Sequence, residues 1–354
     1  MSLDRYLPSH VNRGPWITAW TLFRLRELSR DVRFVLPVCS LRHSYEDLVS
    51  DESIHLPPLF VEAMSPSLEQ RLADRILACF PEYSALSNSQ RVEIVRHAPD
   101  ASPTNSGPSK AKVLAFSVDT AVEEHGPHLP LGTDTIQSYS VLQKLADSID
   151  GFQVAKPLEY GQLTWGLPFG FSVDITADLL TEYVTGYVNA LLQAEQPESI
   201  YVVDVHGSIT HRQAIVEGLK RSECQRWAFR WLHEPLAEFA SERGDQHAGG
   251  VETALVEFAN TNLVDHSWFP SREAEIVAGQ MTLEKAVELT PDLDDFANYV
   301  NAHQCNGIVG SVTNYHSLDV TKMFDRMLSL AVSDVEALLA GDSGEGQQAG
   351  LSFW

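Results

Sequence analysis

Residues 112–134 read "KVLAFSVDTAVEEHGPHLPLGTD". The run "KVLAFSV" (112–118) is short and almost continuously apolar, as expected of a strand buried on both faces. From Val122 to Asp134 two prolines and two glycines break any regular repeat. Proline fixes φ and lacks an amide hydrogen, and glycine turns freely, so this stretch is a loop. The loop nevertheless gathers Glu123, Glu124, His125, His128 and Asp134. Imidazole and carboxylate held between stiff prolines suit a divalent transition metal. Glu123 and His125 are two positions apart, so an extended backbone points both the same way. A carboxylate such as Asp134 can bridge two cations. The alternative is a polar loop with Glu124 and His128 in solvent and Asp134 capping the next helix.

Outward from this loop the chain alternates. Ile136, Tyr139, Leu142, Leu145 and Ile149 recur at helical spacing, with Gly151 as a C-cap. "FQVAKPLEYG" (152–161) reads as a strand leaving into a loop. Leu180, Val184, Tyr187, Leu191 and Leu192 mark a helix over 177–194, N-capped by Thr176. "SIYVVDV" (199–205) is a strand by its β-branched and aromatic content, and "HGSITH" follows at once. "VETALVEFAN" (251–260) is a helix entered from "HAGG", and a last helix runs over about 319–340. This order predicts an α/β fold, a mostly parallel sheet with helices on both faces. Ligands bind beyond the carboxyl ends of such strands, so the loops after 118 and 205 should meet at one rim.

Residues 1–98 form an atypical N-terminal segment. "VRFVLPVCSLRHSYEDLVSDESIHLPPLF" (32–60) echoes the opening stretch: an apolar strand, a His-bearing loop and an H-L-P triplet at 55–57, as at 128–130. It reads as a degenerate strand–loop repeat or a chance likeness, and no site is assigned there. Residues 67–97 read as helical. "PDASPTNSGPSK" (99–110) is a linker or long loop, 111–340 the core, and 341–354 a flexible tail.

The formal charge of -23 argues against general affinity for nucleic acid or anionic membranes. No apolar run approaches the ~18–20 residues of a membrane span. The N-terminus lacks the apolar core of a signal peptide, and the four cysteines form no C-x-x-C pair. A cytoplasmic protein with reduced thiols is expected. No G-x-S-x-G elbow is present, which disfavours a serine nucleophile.

"EEHGPHLPLGTD" (123–134) closely resembles the E-x-H-G-x-H-L-P-x-x-x-D signature of the creatininase family, creatinine amidohydrolases and related formamide hydrolases. "YVVDVHGS" (201–208) resembles its strand ending in N-G-H-G-G-N, and "HAGGVETA" (247–254) its H-A-G-x-x-E-T-S. "LEYGQLTWGLPFG" (158–170) is loosely similar to a further loop with a Y-G pair, and "ITAWTLFRLRELSRDVRFVLPVCS" (17–40) to the way family members begin. The resemblance covers about residues 112–335. It implies one or two divalent ions per chain (Zn, Mn or Fe). Glu123 would bind one, His125 the other, Asp134 would bridge them, and His206 would join the first. His247 would shuttle a proton to the leaving nitrogen, and Glu252 would be a ligand or an orienting carboxylate. It also implies a homo-oligomer.

The sequence departs from the pattern at three places. Asp204–Val205 stands where the family has Asn-Gly, and Ala254 where it has Ser. Ser208 stands where the creatinine-hydrolysing branch has a glutamate ligand, so the second metal would be weaker, absent or held by Glu252, with Asp204 a replacement acid and His211 a spare imidazole nearby. The expected function is therefore a metal-dependent amidohydrolase. A metal-activated water would cleave a non-peptide C–N bond in a small-molecule cyclic amide or formamide, not creatinine itself. Two rivals stand beside it: a catalytically lapsed relative with a binding or assembly role, and a hydrolase of a peptide or specialised metabolite in a biosynthetic pathway.

Overall fold

In this computed structural model the structure describes residues 17–18, 34–43, 54–80, 92–97, 111–341 and 348–349. Strands β1 (Phe34–Cys39), β2 (Ile54–His55), β3 (Leu59–Phe60) and β4 (Val92–Arg96) form one parallel sheet. Strands β5 (Val113–Ser117), β6 (Phe152–Val154), β7 (Ser199–Asp204), β8 (Trp227–Trp231) and β9 (Gln348–Ala349) form a second parallel sheet, ordered β6-β5-β7-β8-β9. The main helices are α1 (Pro66–Ala78), α2 (Thr133–Ser148), α3 (Ala177–Glu195), α4 (Ile209–Arg221), α5 (Gly250–Ala259), α6 (Leu293–His303) and α7 (Val320–Ala340).

The apolar run of β5 follows from burial on both faces. Leu114 and Phe116, with Ile200 and Val202 of β7, pack on Leu180, Tyr187 and Ile215 of α3 and α4. The alternate residues Val113, Ala115, Tyr201 and Val203 pack on Leu142, Leu255 and Met327 of α2, α5 and α7. Successive strand side chains point to opposite faces, so a sheet covered twice needs apolar residues at every position. Each such side chain contributes ~1.5–3 kcal/mol when fully buried. Thr176 caps α3 as its sequence suggests, accepting from the Leu179 amide at 3.4 Å. α2 spans Thr133–Ser148 and ends at Ile149, so Gly151, at φ +82°, lies beyond the cap.

The N-terminal strands share this core. Phe34, Leu36, Val38, Leu59 and Leu72 join the cluster that holds Tyr183 and Tyr187 of α3. The Phe60 amide donates to the Tyr183 hydroxyl at 3.1 Å, and the Tyr160 hydroxyl donates to the Pro57 carbonyl at 2.7 Å. Of the helix expected over 67–97, the described residues form α1 and then β4, which β-branched Val92, Ile94 and Val95 enter instead; residues 81–91 lie outside the described residues. The linker at 99–110 lies outside the described residues, as does most of the tail, from which Gln348 and Ala349 pair with β8. Among the described residues no helix is long and apolar enough to cross a membrane.

Candidate metal centre

β5 and β7 are neighbours in register, so the loops that follow them leave the sheet at the same end. The first loop turns back on itself. The Glu123 amide donates to the Leu131 carbonyl at 3.3 Å, and α2 then starts at Thr133 with Asp134 in its first turn. Gly126 makes the turn at φ +70°, where a Cβ would stand 2.9 Å from Ile308. A third segment, 245–252, reaches the same place from the start of α5. It is anchored by Asp245, which accepts from the amides of Val251 and Ser311 at 3.0 and 2.7 Å.

These three segments bring together Glu123, His125, Asp134, His206, His247 and Glu252, all the residues singled out for metal binding or catalysis except Asp204. His206 Nδ1 lies 3.1 Å from Glu123 Oε2 and 3.4 Å from Asp134 Oδ2. His125 Nε2 lies 3.3 Å from Asp134 Oδ1 and 3.9 Å from Glu252 Oε2. His247 Nδ1 lies 3.6 Å from Glu123 Oε1. Among the described residues three sets of ligand-type atoms result: Glu123–Asp134–His206, His125–Asp134–Glu252, and Glu123–His125–His247. Asp134 faces the first two sets with different carboxylate oxygens. Glu123, His125, Asp134 and His206 are all buried, and His247 is partly open to the outside.

The outer nitrogen of each ring fixes what the inner nitrogen offers. A carbonyl can only accept, so the ring nitrogen facing one carries the hydrogen. His125 Nδ1 donates to the Glu123 carbonyl at 3.1 Å. His206 Nε2 donates to the Gln162 carbonyl at 3.1 Å, and His247 Nε2 to the Glu124 carbonyl at 2.6 Å. In each neutral ring the inward nitrogen is therefore a lone pair aimed at carboxylate oxygens, which repels unless positive charge lies between them. Without a cation, protons take that place at His125 and His206. Burial opposes charge on His125, but Asp134, Glu252 and Glu123 outweigh it and lift its pKa to about 10. His206 is raised too, by Glu123 and Asp134 against its burial. Burial likewise opposes the Asp134 charge, yet His125 and His206 hold that carboxyl well below the usual range. Burial pushes Glu252 up to about 7, although its Oε2 accepts from the Ala248 amide at 2.5 Å. The donor set fits a divalent cation: imidazole nitrogens and carboxylate oxygens, fixed from outside and electronegative within.

Neighbouring residues have other work. Glu124 and His128 are buried, not solvent-facing. His128 Nε2 donates to the Thr253 hydroxyl at 2.8 Å, tying the loop to α5, and burial pushes its pKa down to about 3. Asp204 belongs to none of the ligand sets; its Oδ1 accepts from the His206 amide at 2.8 Å. Of the two proposed replacements for the ligand missing at Ser208, Glu252 is the one at the cluster. Ser208 itself N-caps α4 and donates to Gln162 Oε1 at 2.6 Å. His211 is not spare: Nε2 donates to the Val118 carbonyl at 2.9 Å and Nδ1 accepts from the Gln162 amide at 3.1 Å. Two features escaped the sequence reading. Ala248 is in the left-handed region at φ 51°, which aims its amide at Glu252. Thr120, outside the motifs, points its hydroxyl into the cluster.

A family model described as creatinine amidohydrolase matches residues 109–334. A mycofactocin precursor peptide peptidase from Mycobacterium ulcerans (strain Agy99) is 24% identical over 232 residues, 63% of this chain and 85% of its own length. Among solved structures, a creatininase described with Mn is similar at 16% identity and TM-score 0.45, over 66% of this chain and 91% of that one. A creatinine amidohydrolase is similar at the same identity and TM-score, over 65% and 90%. The peptidase corrects one expectation, that the bond cleaved lies outside peptides. The physical reason is that ligands for a cation and a proton carrier serve any amide, and the motifs say nothing of the chain attached to it. With the matched region covering well over half of its length, this chain belongs to the creatininase family.

Proposed function

We propose that this protein is a metal-dependent hydrolase that cleaves a C–N bond of a peptide, as a processing step in a biosynthetic pathway. The observation that carries the metal requirement is the set of three imidazoles locked by main-chain carbonyls, with lone pairs turned on carboxylates. The peptide as substrate rests on the peptidase relative. Glu123, Asp134 and His206 would hold one ion and His125, Asp134 and Glu252 another, with Asp134 shared. Zn, Mn and Fe all suit such mixed nitrogen and oxygen donors. A cation held there activates water at neutral pH and polarises a carbonyl.

His247 supplies the proton traffic. Burial and His125 push its pKa down to about 4, so Nδ1 is a free acceptor at neutral pH. It takes a proton on the cluster side and delivers it to the departing nitrogen. Its partial exposure places it between the buried acids and the outside, where a peptide would arrive. The homo-oligomer belongs to this reading and is checked by sedimentation. The test of function compares metal-loaded and chelator-stripped protein on a set of synthetic peptides, following release of amino groups. Cleavage that needs metal is expected. A fully loaded protein that cuts none of them overturns the reading and favours a lapsed relative.

A further inference from the structure

Thr120 lies outside the three motifs and is 1% exposed. Its Oγ1 bonds to Glu123 Oε2 and lies 2.7 Å from Asp134 Oδ2 and 3.3 Å from His206 Nδ1. One oxygen thus touches every member of one ligand set. The hydroxyl has a single hydrogen, and three acceptors surround it: two carboxylate oxygens and, because Nε2–H is spent on Gln162, the His206 lone pair. The hydrogen can serve one of them. With His206 neutral, as cation binding requires, the other two and the hydroxyl's own lone pairs then face one another with no hydrogen between.

The oxygen is held there by its own methyl. A Cβ at Gly161 would stand 2.6 Å from Thr120 Cγ2 and 2.5 Å from His211 Cε1, so the methyl lies against bare backbone. The flanking amides of Asp119 and Ala121 donate to the Leu158 and Glu159 carbonyls at 3.0 and 3.1 Å. A β-branched side chain on a fixed backbone has few rotamers, and the packed methyl selects the one that turns the hydroxyl inward.

We infer that Thr120 is a fourth, neutral donor of the Glu123–Asp134–His206 cation site and sets its affinity, an inference that rests on the metal reading above. Mn²⁺ and Zn²⁺ are titrated into metal-stripped wild type, Thr120→Ser and Thr120→Val, with circular dichroism to confirm folding. Thr120→Val should lose ~10–100-fold in affinity at one site, the range typical of groups that support metal ligands. Thr120→Ser, which keeps the hydroxyl but loses the methyl that aims it, should fall between Thr120→Val and wild type. The visible spectrum of the Co²⁺-loaded protein should change more in Thr120→Val than in Thr120→Ser. Wild-type affinity in Thr120→Val overturns the inference alone. If that variant does not fold, Thr120→Ala is titrated, and wild-type affinity there overturns the inference equally. A wild-type protein that takes up no cation overturns the metal reading and this inference together. Uptake without peptide cleavage counts against the peptide reading only.

Discussion

The chain presents two strand–loop units of similar composition, β1 with its loop and β5 with its loop, and they differ in who donates hydrogen to the acids. After β1 the His43 Nδ1 lone pair accepts from the Ser40 amide at 3.1 Å. Glu62 is exposed and accepts from the Ser40 hydroxyl and, at 3.0 Å, from the Leu41 amide. Every polar group named there is served by protein or open to water. After β5 the acids are buried and the imidazoles turn lone pairs on them. Histidine and carboxylate near a strand end are therefore not enough for a cation site; the acids must also be buried with too few donors to serve them.

The sharpest way to break this comparison is Asp134→Ala, which removes an oxygen from two ligand sets at once. Most bound metal should be lost with the chain still folded, whereas Glu62→Ala should leave metal content unchanged. Equal metal content in Asp134→Ala and wild type would end the ligand assignment. His247→Ala comes next. It should keep its metal and lose ~10²–10⁴ in the rate of hydrolysis, as for a general acid–base group. Metal loss in this variant would make His247 a ligand. Glu252→Gln should lower metal affinity ~10–100-fold, while Asp204→Asn, outside the ligand sets, should not. The reverse result would move the second site towards Asp204.

Acidity gives a further contrast. In metal-free protein the His125 pKa of about 10 stands above the ~6.5 of an unfolded chain. Its contribution to stability is present in full below the unfolded value and is lost as pH rises through the folded one. A cation arriving at neutral pH must displace that proton. Metal affinity should therefore rise with pH, by up to about tenfold per unit for one proton displaced. Calorimetry in buffers of different ionisation enthalpy should register at least one proton released; no release would contradict the protonated metal-free cluster. The smallest effect belongs to the first unit. His43→Ala should cost about 1 kcal/mol of stability by denaturant unfolding, the net value of one hydrogen bond, and leave metal uptake untouched.

Much of this was legible in sequence because it depends on local pattern. The double-sided burial of β5 and β7, the helices α2, α3, α5 and α7, and the meeting of the two loops at one rim follow from periodicity and the parallel-sheet rule. The strand β8, "WAFRW", went unnoticed, since an arginine within it hides its apolar pattern; Arg230 pairs with Asp334 of α7 at 2.7 Å, a partner far along the chain. Thr120 and the backbone of Ala248 were hidden for a similar reason. A threonine after a strand has no signature, and only the tertiary fold shows which way its hydroxyl turns. The limit to non-peptide bonds, which the peptidase relative corrects, could not be tested in sequence because ligand motifs describe the bond and not its surroundings.

The carbonyls that lock the three imidazoles belong to Glu123, Glu124 and Gln162, and each comes from the main chain. A peptide carbonyl survives replacement of its own side chain. Mutation can therefore wander across Glu124 and Gln162 without erasing the acceptors that orient the rings, so long as the backbone keeps its path. The support of the centre is in this sense insulated from genetic drift, while the side chains around it are free to be selected for new substrates. That separation gives a physical account of how a peptidase can be a relative of this chain within a family described by creatinine amidohydrolase.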